Sequence, residues 1–159
     1  MCEDVKEDLP TNAPPSLDEP VIIASCVDAN LVHDILTKRF MSDILHYFNQ
    51  TPIEWFAKKQ NTAETATHGF EFVAARLCAE QVTDLRTMSR YCGVSVNERT
   101  HMFEDNDSVV KSSTIFNVKL QKRHHILFCH AVREKIAAGY LRFLYLSKAC
   151  DPADILGKH

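Results

Sequence analysis

A long helical pattern from Thr67 to Tyr91 restricts the fold more than any other segment of this chain. Apolar residues recur along it at three- and four-residue spacing, and Gly93 follows as a stop signal. A helix of this length with one apolar side must bury that side against another layer of structure. We therefore expect it to pack on a β-sheet that the flanking segments supply.

Short apolar runs of strand length lie on both sides of this helix. The predicted strands are Val21 to Val27, ending on Asp28, then Ile44 to Phe48, Ile53 to Lys58, Thr100 to Phe103 and Tyr140 to Leu146. Shorter helices are predicted at Ser108 to Ser112, at His125 to Ala138, and after Asp151-Pro152, which offers an N-cap carboxylate and a proline at the first helical position. This order predicts an α/β fold with a mixed sheet.

Length and composition favour a single domain behind a short lead-in. The chain has 159 residues, of which 45% are hydrophobic, enough to bury one core. Residues 1–20 are rich in proline and acidic residues, so we expect a weakly ordered linker there and the domain at 21–159. No run approaches the roughly 18 apolar residues that cross a bilayer, and the start is not a secretory signal, which places the chain inside the cell.

Charge and cysteine usage exclude two further classes. The six cysteines are scattered and form no Cys-x-x-Cys pair, so we expect reduced, buried thiols rather than a disulfide framework. A net charge of −3 argues against a protein that coats nucleic acid by bulk charge. Phosphate contacts would have to come from local basic residues, namely Lys58, Lys59, Lys119, Lys122 and Arg123. The alternative is that these residues only form a solvated surface.

Four acidic residues fall near the ends of predicted elements: Asp28, Glu71, Asp105 and Asp154. If the first and fourth strands are neighbours, Asp28 and Asp105 come together. Carboxylates clustered in this way suit Mg²⁺ or Mn²⁺, and two such ions could act on a phosphodiester. Position alone is weak support, because the chain has 21 acidic residues and most such residues lie on solvated surfaces.

Several motifs resemble the ribonuclease H domain of copia-type (Pseudoviridae-like) LTR retrotransposon polyproteins. The tract from Thr51 to Thr62 resembles the family's Pro-Ile-x-Trp and Lys-Lys-Gln segment. Gly69 to Ala75 resembles its second acidic motif, and Glu104-Asp105-Asn106 resembles its Cys-Asp-Asn motif. The most specific series closes the chain, in the family's order and spacing: Lys122-Arg123-His124, His130 with Val132-Arg133-Glu134, Ala138-Gly139, and Ala153-Asp154-Ile155-Leu156 with Lys158.

This resemblance implies a ribonuclease H-like fold, with a mixed five-stranded sheet flanked by helices. It implies hydrolysis of the RNA strand of an RNA–DNA hybrid with two Mg²⁺ or Mn²⁺ ions held by Asp28, Glu71, Asp105 and Asp154. The implied partner, besides the hybrid, is the reverse transcriptase module of the same polyprotein. The implied location is the cytoplasm and virus-like particles, with no membrane contact.

The chain also departs from the family pattern near the first motif. The family has Asp-Ala-Asp where this chain has Asp28-Ala29-Asn30, and a glycine where this chain has Asp43. If that position needs a positive φ, Asp43 would strain the backbone. Glu104 and Asp107 add negative charge around Asp105. These departures fit either a divergent lineage or a decaying copy.

Alternative interpretations remain at several places. His124 could bind substrate or assist product release, or could cap its helix, and a zinc site from His124, Cys129 and His130 lacks a second ligand pair. Trp55 and Phe56 are predicted to fill the core. A transposase or integrase core would carry its glutamate late in the chain, unlike Glu71. A catalytically dead fold acting as a connector is the alternative from another class.

Overall fold

The computed structural model describes residues 11–12, 14–17, 19–31, 40–61, 67–115 and 123–153, with the backbone alone for Leu31, Thr67, His68, Arg123 and His124. In chain order the elements are β1 (Ile23–Leu31), β2 (Phe40–Phe48), β3 (Thr51–Lys59), α1 (Thr67–Tyr91), β4 (Thr100–Glu104), α2 (Asp107–Thr114), α3 (Arg123–Ala137) and β5 (Leu141–Tyr145). A 3₁₀ turn, Lys148–Cys150, follows β5.

The strands form one mixed sheet in the order β3-β2-β1-β4-β5. The β1–β2 and β2–β3 pairs are antiparallel, and the β1–β4 and β4–β5 pairs are parallel. A tight turn at Asn49-Gln50 joins β2 to β3, with Asn49 at φ 55°. The mixed five-stranded sheet that the family resemblance implies is therefore confirmed. β1 is the central strand, so both its neighbours approach the residues it carries.

The long helix α1 packs against β1 and β2, as its apolar stripe predicts, and α3 packs beside it. The buried core between these layers includes Val27 and Ile44 from the sheet, Phe72 and Cys78 from α1, and Val132 from α3. Each of these buried side chains removes apolar surface from water and stabilises the fold, by about 1.5–3 kcal/mol for a large aliphatic or aromatic side chain. The core fixes α1 over β1, which sets where Glu71 lies.

Two expectations about the sheet were wrong, and the condition for strain at Asp43 is not met. β1 continues to Leu31, so Asp28 lies within the strand rather than at its end, because pairing with β2 continues as far as Leu31–Phe40. Trp55 is 72% exposed on the edge strand β3, where no described element covers it. Asp43 lies in the extended backbone of β2, and Asn49 is the only described non-glycine residue with positive φ, so Asp43 introduces no strain of that kind.

Part of the lead-in lies against the turn that ends α1. The backbone N–H of Leu17 donates to Gly93 O at 2.6 Å, and that of Val21 donates to Ser95 O at 2.7 Å. Gly93 has φ +77°, and a Cβ built on it would lie 2.7 Å from Pro15 O. Residues 14–17 and 19–21 thus form a strap across the end of α1; the boundary at residue 20 stays a prediction.

The cysteines of the described segments are all free. Cys26, Cys78 and Cys129 are buried, whereas Cys92 and Cys150 are exposed, which corrects the expectation of burial for those two. Burial raises the pKa of Cys26 to about 12, so its thiol stays protonated at neutral pH. No helix within the described residues is both long and apolar enough to cross a membrane.

Candidate metal centre

Three of the four predicted carboxylates converge at one place. Asp28 comes from β1, Glu71 from the start of α1, and Asp105 from the residue after β4. Because β1 and β4 are parallel neighbours with Val27 paired to Glu104, the next residues along, Asp28 and Asp105, come side by side. One carboxylate oxygen from each of the three residues lies within 4.8 Å of the others. The chain thus gathers three negative charges from three separate elements.

This proximity perturbs the acid–base equilibria of the cluster. Burial, followed by the nearby charges of Asp28 and Asp105, raises the pKa of Glu71 to about 8. Burial and the charge of Asp105 also raise the pKa of Asp28. Carboxyl groups held this close cannot all ionise without a compensating positive charge, so the cluster favours binding of a proton or a cation.

One such positive charge is Lys148 on the 3₁₀ turn after β5. Its Nζ lies 3.4 Å from Oδ2 of Asp105, and its charge lowers the pKa values of Asp28 and Glu71. Lys148 is 63% exposed, so water screens this interaction. It offsets only part of the repulsion inside the cluster.

Asn30 and Asp43 extend the cluster on the sheet. Asn30 Nδ2 donates to Asp28 Oδ2 at 2.6 Å and to Asp43 Oδ2 at 3.1 Å. The backbone N–H of Ala29 donates to the other oxygen of Asp28, at 2.8 Å. Both oxygens of Asp28 therefore accept a hydrogen bond that fixes the orientation of the carboxylate.

Glu104 lies fully buried beneath the cluster, between β4 and α1. Neither of its oxygens has a hydrogen-bond donor among the described residues, and Oε2 of Glu71 also has none. Burial, with the charge of Glu71 next, raises the pKa of Glu104 well above its usual range. The carboxyl groups of Glu71 and Glu104 are close enough to hydrogen-bond when one carries a proton.

The donor set fits a hard divalent cation. Mg²⁺ and Ca²⁺ take oxygen ligands at about 2.0–2.6 Å, so two oxygens on one ion lie up to about 5 Å apart. The 4.8 Å spread of the three carboxylates is within this range. The buried Oε2 of Glu71, which no donor satisfies, is a further acceptor available to such an ion.

The structure describes some of the remaining predicted residues and not others. Asp154, Lys119 and Lys122 lie outside the described residues, and Arg123 and His124 lie in the first turn of α3 with only their backbone described. Asp151 does accept from Ala153 N at 2.8 Å, the N-cap bond predicted for a helix opening there. Lys58 and Lys59 line a groove of about 300 Å³ between β3 and α1, together with Arg76 and Phe128.

Sequence reasoning did not predict the roles of four residues around the cluster: Asn30, Asp43, Glu104 and Lys148. Alternation along a strand puts Asn30 on the same side as Asp28, so that signal was available. Asp43 depends on the β1–β2 register, which only the structure gives. Glu104 follows Thr100 and Met102 on the buried side of β4, one residue beyond the strand that was predicted.

Arg133 makes an inward contact from α3. Its guanidinium donates to Ser112 O at 2.6 Å and to Ile115 O at 2.7 Å, which joins α3 to the end of α2. The proposed zinc ligand Cys129 is buried and its thiol donates to Ser112 O at 3.0 Å. Both side chains therefore hold helices together.

Comparison with known proteins was made by sequence and by structure. No family model matches the chain. Over 137 residues it is 24% identical to the retrovirus-related Pol polyprotein from transposon TNT 1-94 of Nicotiana tabacum, a match covering 86% of this chain. The matched region is 10% of that polyprotein's length, so the chain is similar to a small part of it.

Solved ribonuclease H structures share the fold. RNase H1 from the halophilic archaeon Halobacterium salinarum superposes with a TM-score of 0.64 at 12% identity, covering 84% of this chain and 92% of that one. LC11-RNase H1 in complex with an RNA/DNA hybrid gives 0.62 at 14% identity, with the same coverage. The protease–reverse transcriptase of prototype foamy virus gives 0.61 at 10% identity, covering 94% of this chain and 22% of that one. This chain therefore has the ribonuclease H fold and resembles a segment of a retrotransposon Pol polyprotein.

Proposed function

We propose that this chain is a metal-dependent endonuclease that hydrolyses the RNA strand of RNA–DNA hybrids, as the ribonuclease H domain of a copia-type retrotransposon polyprotein. The observation that carries the proposal is the convergence of three carboxylates within 4.8 Å, brought from β1, α1 and β4 of a ribonuclease H fold. The binding of an RNA/DNA hybrid by a protein of the same fold supports the choice of substrate.

In this proposal Asp28, Glu71 and Asp105 hold Mg²⁺ or Mn²⁺, and Asp154 is the predicted fourth ligand. Two bound ions would activate a water molecule and stabilise the leaving oxygen of the phosphodiester. The raised pKa values of Asp28 and Glu71 mean that binding a cation displaces protons from the cluster. His124 at the start of α3 is proposed to assist product release.

Basic residues are proposed to contact the hybrid through its phosphates. Lys58 and Lys59 line the groove between β3 and α1, where Arg76 is paired with Glu80 at 2.8 Å. Lys119, Lys122 and Arg123 complete the proposed set near the start of α3. Phosphate contacts position a duplex without reading its sequence, which suits a nuclease of broad sequence range. A reverse transcriptase module of the same polyprotein, in the cytoplasm or in virus-like particles, is the proposed partner.

The decisive experiment is hydrolysis of a labelled RNA–DNA hybrid by the full chain, with Mg²⁺, with Mn²⁺ and with EDTA. We expect cleavage of the RNA strand only with a cation, and none of single-stranded RNA or duplex DNA. Asp28→Asn and Asp105→Asn should each reduce the rate about 100-fold or more, because loss of several kcal/mol of charge stabilisation corresponds to at least that factor.

Asp84→Asn is the matched control, because Asp84 is an exposed carboxylate on the same helix as Glu71. It should keep the wild-type rate. If the wild-type chain binds the cation but leaves every hybrid intact, the catalytically degenerate alternative replaces the proposal. If Asp28→Asn or Asp105→Asn unfolds the chain, that carboxylate has a structural role instead.

A further inference from the structure

Asn30 and Asp43 contact each other beside the candidate metal centre. Position 30 carries an amide and position 43 a carboxylate, and Asn30 Nδ2 lies 3.1 Å from Asp43 Oδ2. The same amide nitrogen lies 2.6 Å from Asp28 Oδ2. One side chain therefore joins a candidate cation ligand to a second carboxylate on the adjacent strand.

The sheet geometry explains why an amide is needed there. Asp28 and Asp43 are direct partners in the antiparallel β1–β2 ladder, so their side chains lie on the same side of the sheet. Like charges directly opposite each other destabilise a strand pair. Both residues are almost fully buried, so donors from the protein take the place of water around the two carboxylates.

Asn30 is placed to donate to both carboxylates. Residues two apart on a strand share a side, so Asn30 lies next to Asp28 and diagonally across from Asp43. Its –NH₂ group has two hydrogens, which allows one nitrogen to donate to both carboxylates. Each oxygen of an ionised carboxylate accepts more than one bond. Asp28 therefore keeps free lone pairs for a cation that it would share with Glu71 and Asp105.

We propose that Asn30 is a positioning residue that holds the Asp28 carboxylate in the orientation needed to bind a divalent cation, with Asp43 as the second acceptor that fixes the amide. The inference rests on the proposed cation role of Asp28. The amide of Asn30 and the carboxylate of Asp43 then act as one pair beside Asp28.

The test is calorimetric titration of the full chain with Mn²⁺, together with thermal unfolding in EDTA. Partners that orient a metal ligand typically contribute about 10–100-fold to metal affinity, so Asn30→Ala should weaken the Mn²⁺ Kd by about 10-fold or more. Asp43→Asn should weaken it less, because Asn30 still donates to Asp28. In the double variant Asn30→Ala/Asp43→Asn, the new amide at position 43 lies opposite Asp28. It should recover part of the Mn²⁺ affinity that Asn30→Ala loses.

The relative size of these losses in Mn²⁺ affinity distinguishes orientation of Asp28 from simple charge attraction. If Asp43 acted only by attracting the cation, Asp43→Asn would weaken binding more than Asn30→Ala, and the proposal would be overturned. An unchanged Mn²⁺ Kd in Asn30→Ala, even with a lower unfolding temperature, would also overturn it, as would no recovery in the double variant. Asn97→Ala, at an exposed position, is the control and should match wild type.

Asp28→Asn distinguishes this inference from the proposed function. If Asp28→Asn abolishes Mn²⁺ binding while Asn30→Ala does not change it, only the role of Asn30 is wrong. If the wild-type chain binds no Mn²⁺, or Asp28→Asn binds it normally, the metal centre itself is wrong and the inference is overturned with it.

Discussion

At the scale of single residues, Glu104 is the least expected group in the molecule. A fully buried carboxyl is costly as an anion, and burial together with the charge of Glu71 raises the pKa of Glu104 well above its usual range. When one of the two glutamates carries a proton, it can donate to the other, and the pKa of Glu71 is itself raised to about 8. Glu104 and Glu71 therefore favour a shared proton next to Asp28 and Asp105.

We predict that Glu104→Gln reduces the pH dependence of stability without disturbing the fold. A glutamine has nearly the shape of a protonated glutamate. Because the pKa of Glu104 is raised in the folded state, the folded chain binds more protons than the unfolded chain above the ordinary value of 4.5. Stability is therefore greatest below that value and falls as pH rises toward the folded pKa.

Urea unfolding in EDTA at about pH 5 and about pH 8 measures this effect. The wild-type free energy of unfolding should decrease from the lower to the higher pH, and that of Glu104→Gln should decrease less. Glu98→Gln, at an exposed position, should behave as wild type. An equal fall in Glu104→Gln and wild type would mean that Glu104 is ionised throughout.

At the scale of elements, the strap across the end of α1 imposes a steric limit on Gly93. Gly93→Ala should destabilise the fold by more than the roughly 1 kcal/mol of an unfavourable positive φ, because its Cβ would lie 2.7 Å from Pro15 O. Gly139→Ala is the matched control: Gly139 has the same φ of +77° but its nearest contact is 4.0 Å away. If urea unfolding gives the same loss of unfolding free energy in the two variants, the strap moves aside for the added Cβ without a measurable cost.

The elements also show where sequence reasoning succeeds and where it stops. The bounds of α1 were predicted correctly, because a 3.6-residue period and a terminal glycine are both local signals. Trp55 was misplaced because an aromatic residue within a strand was expected to be buried, although β3 lies at the sheet edge and carries Pro52 and the Lys58–Lys59 pair, which are typical of edge strands. Strand order is set by non-local pairing, and it decides which side chains meet.

The candidate site follows the same division. Asp28, Glu71 and Asp105 were predicted through a family resemblance and a strand-neighbour argument, and the structure brings them together. The contact between Asn30 and Asp43 joins residues on two strands, and no spacing in the sequence reveals it. Ligand candidates were therefore accessible from sequence, and so was the side of the strand on which Asn30 lies, whereas its contact with Asp43 was not.

At the scale of the whole molecule, cation binding and folding should be linked. A ligand that binds only the folded chain stabilises it by RT ln(1 + [L]/Kd), and binding here competes with protons on Asp28 and Glu71. We predict that Mg²⁺ or Mn²⁺ raises the unfolding temperature more at about pH 8 than at about pH 5. Thermal scans with EDTA as reference measure this; a shift larger at the lower pH would contradict it.

The charge of the whole chain predicts weak binding to a hybrid. The net charge is −3, and the proposed phosphate contacts are limited to Lys58, Lys59, Lys119, Lys122 and Arg123. Each neutralised phosphate contributes about −0.9 to the logarithmic salt slope on B-form DNA, so five contacts give at most about −4.5. Titration of labelled hybrid at two salt concentrations measures this slope. Tight binding near physiological salt would show that this chain does not need a reverse transcriptase module to hold the hybrid.

The strap has a practical consequence for handling this protein. It meets the domain at the end of α1 opposite Glu71, and the helix spans about 30 Å between Glu71 and Tyr91 at about 1.5 Å per residue. An affinity tag or a fused carrier joined ahead of residue 14 therefore enters the domain far from the carboxylates. Immobilising the chain by that end leaves the candidate metal centre open to a nucleic acid in solution.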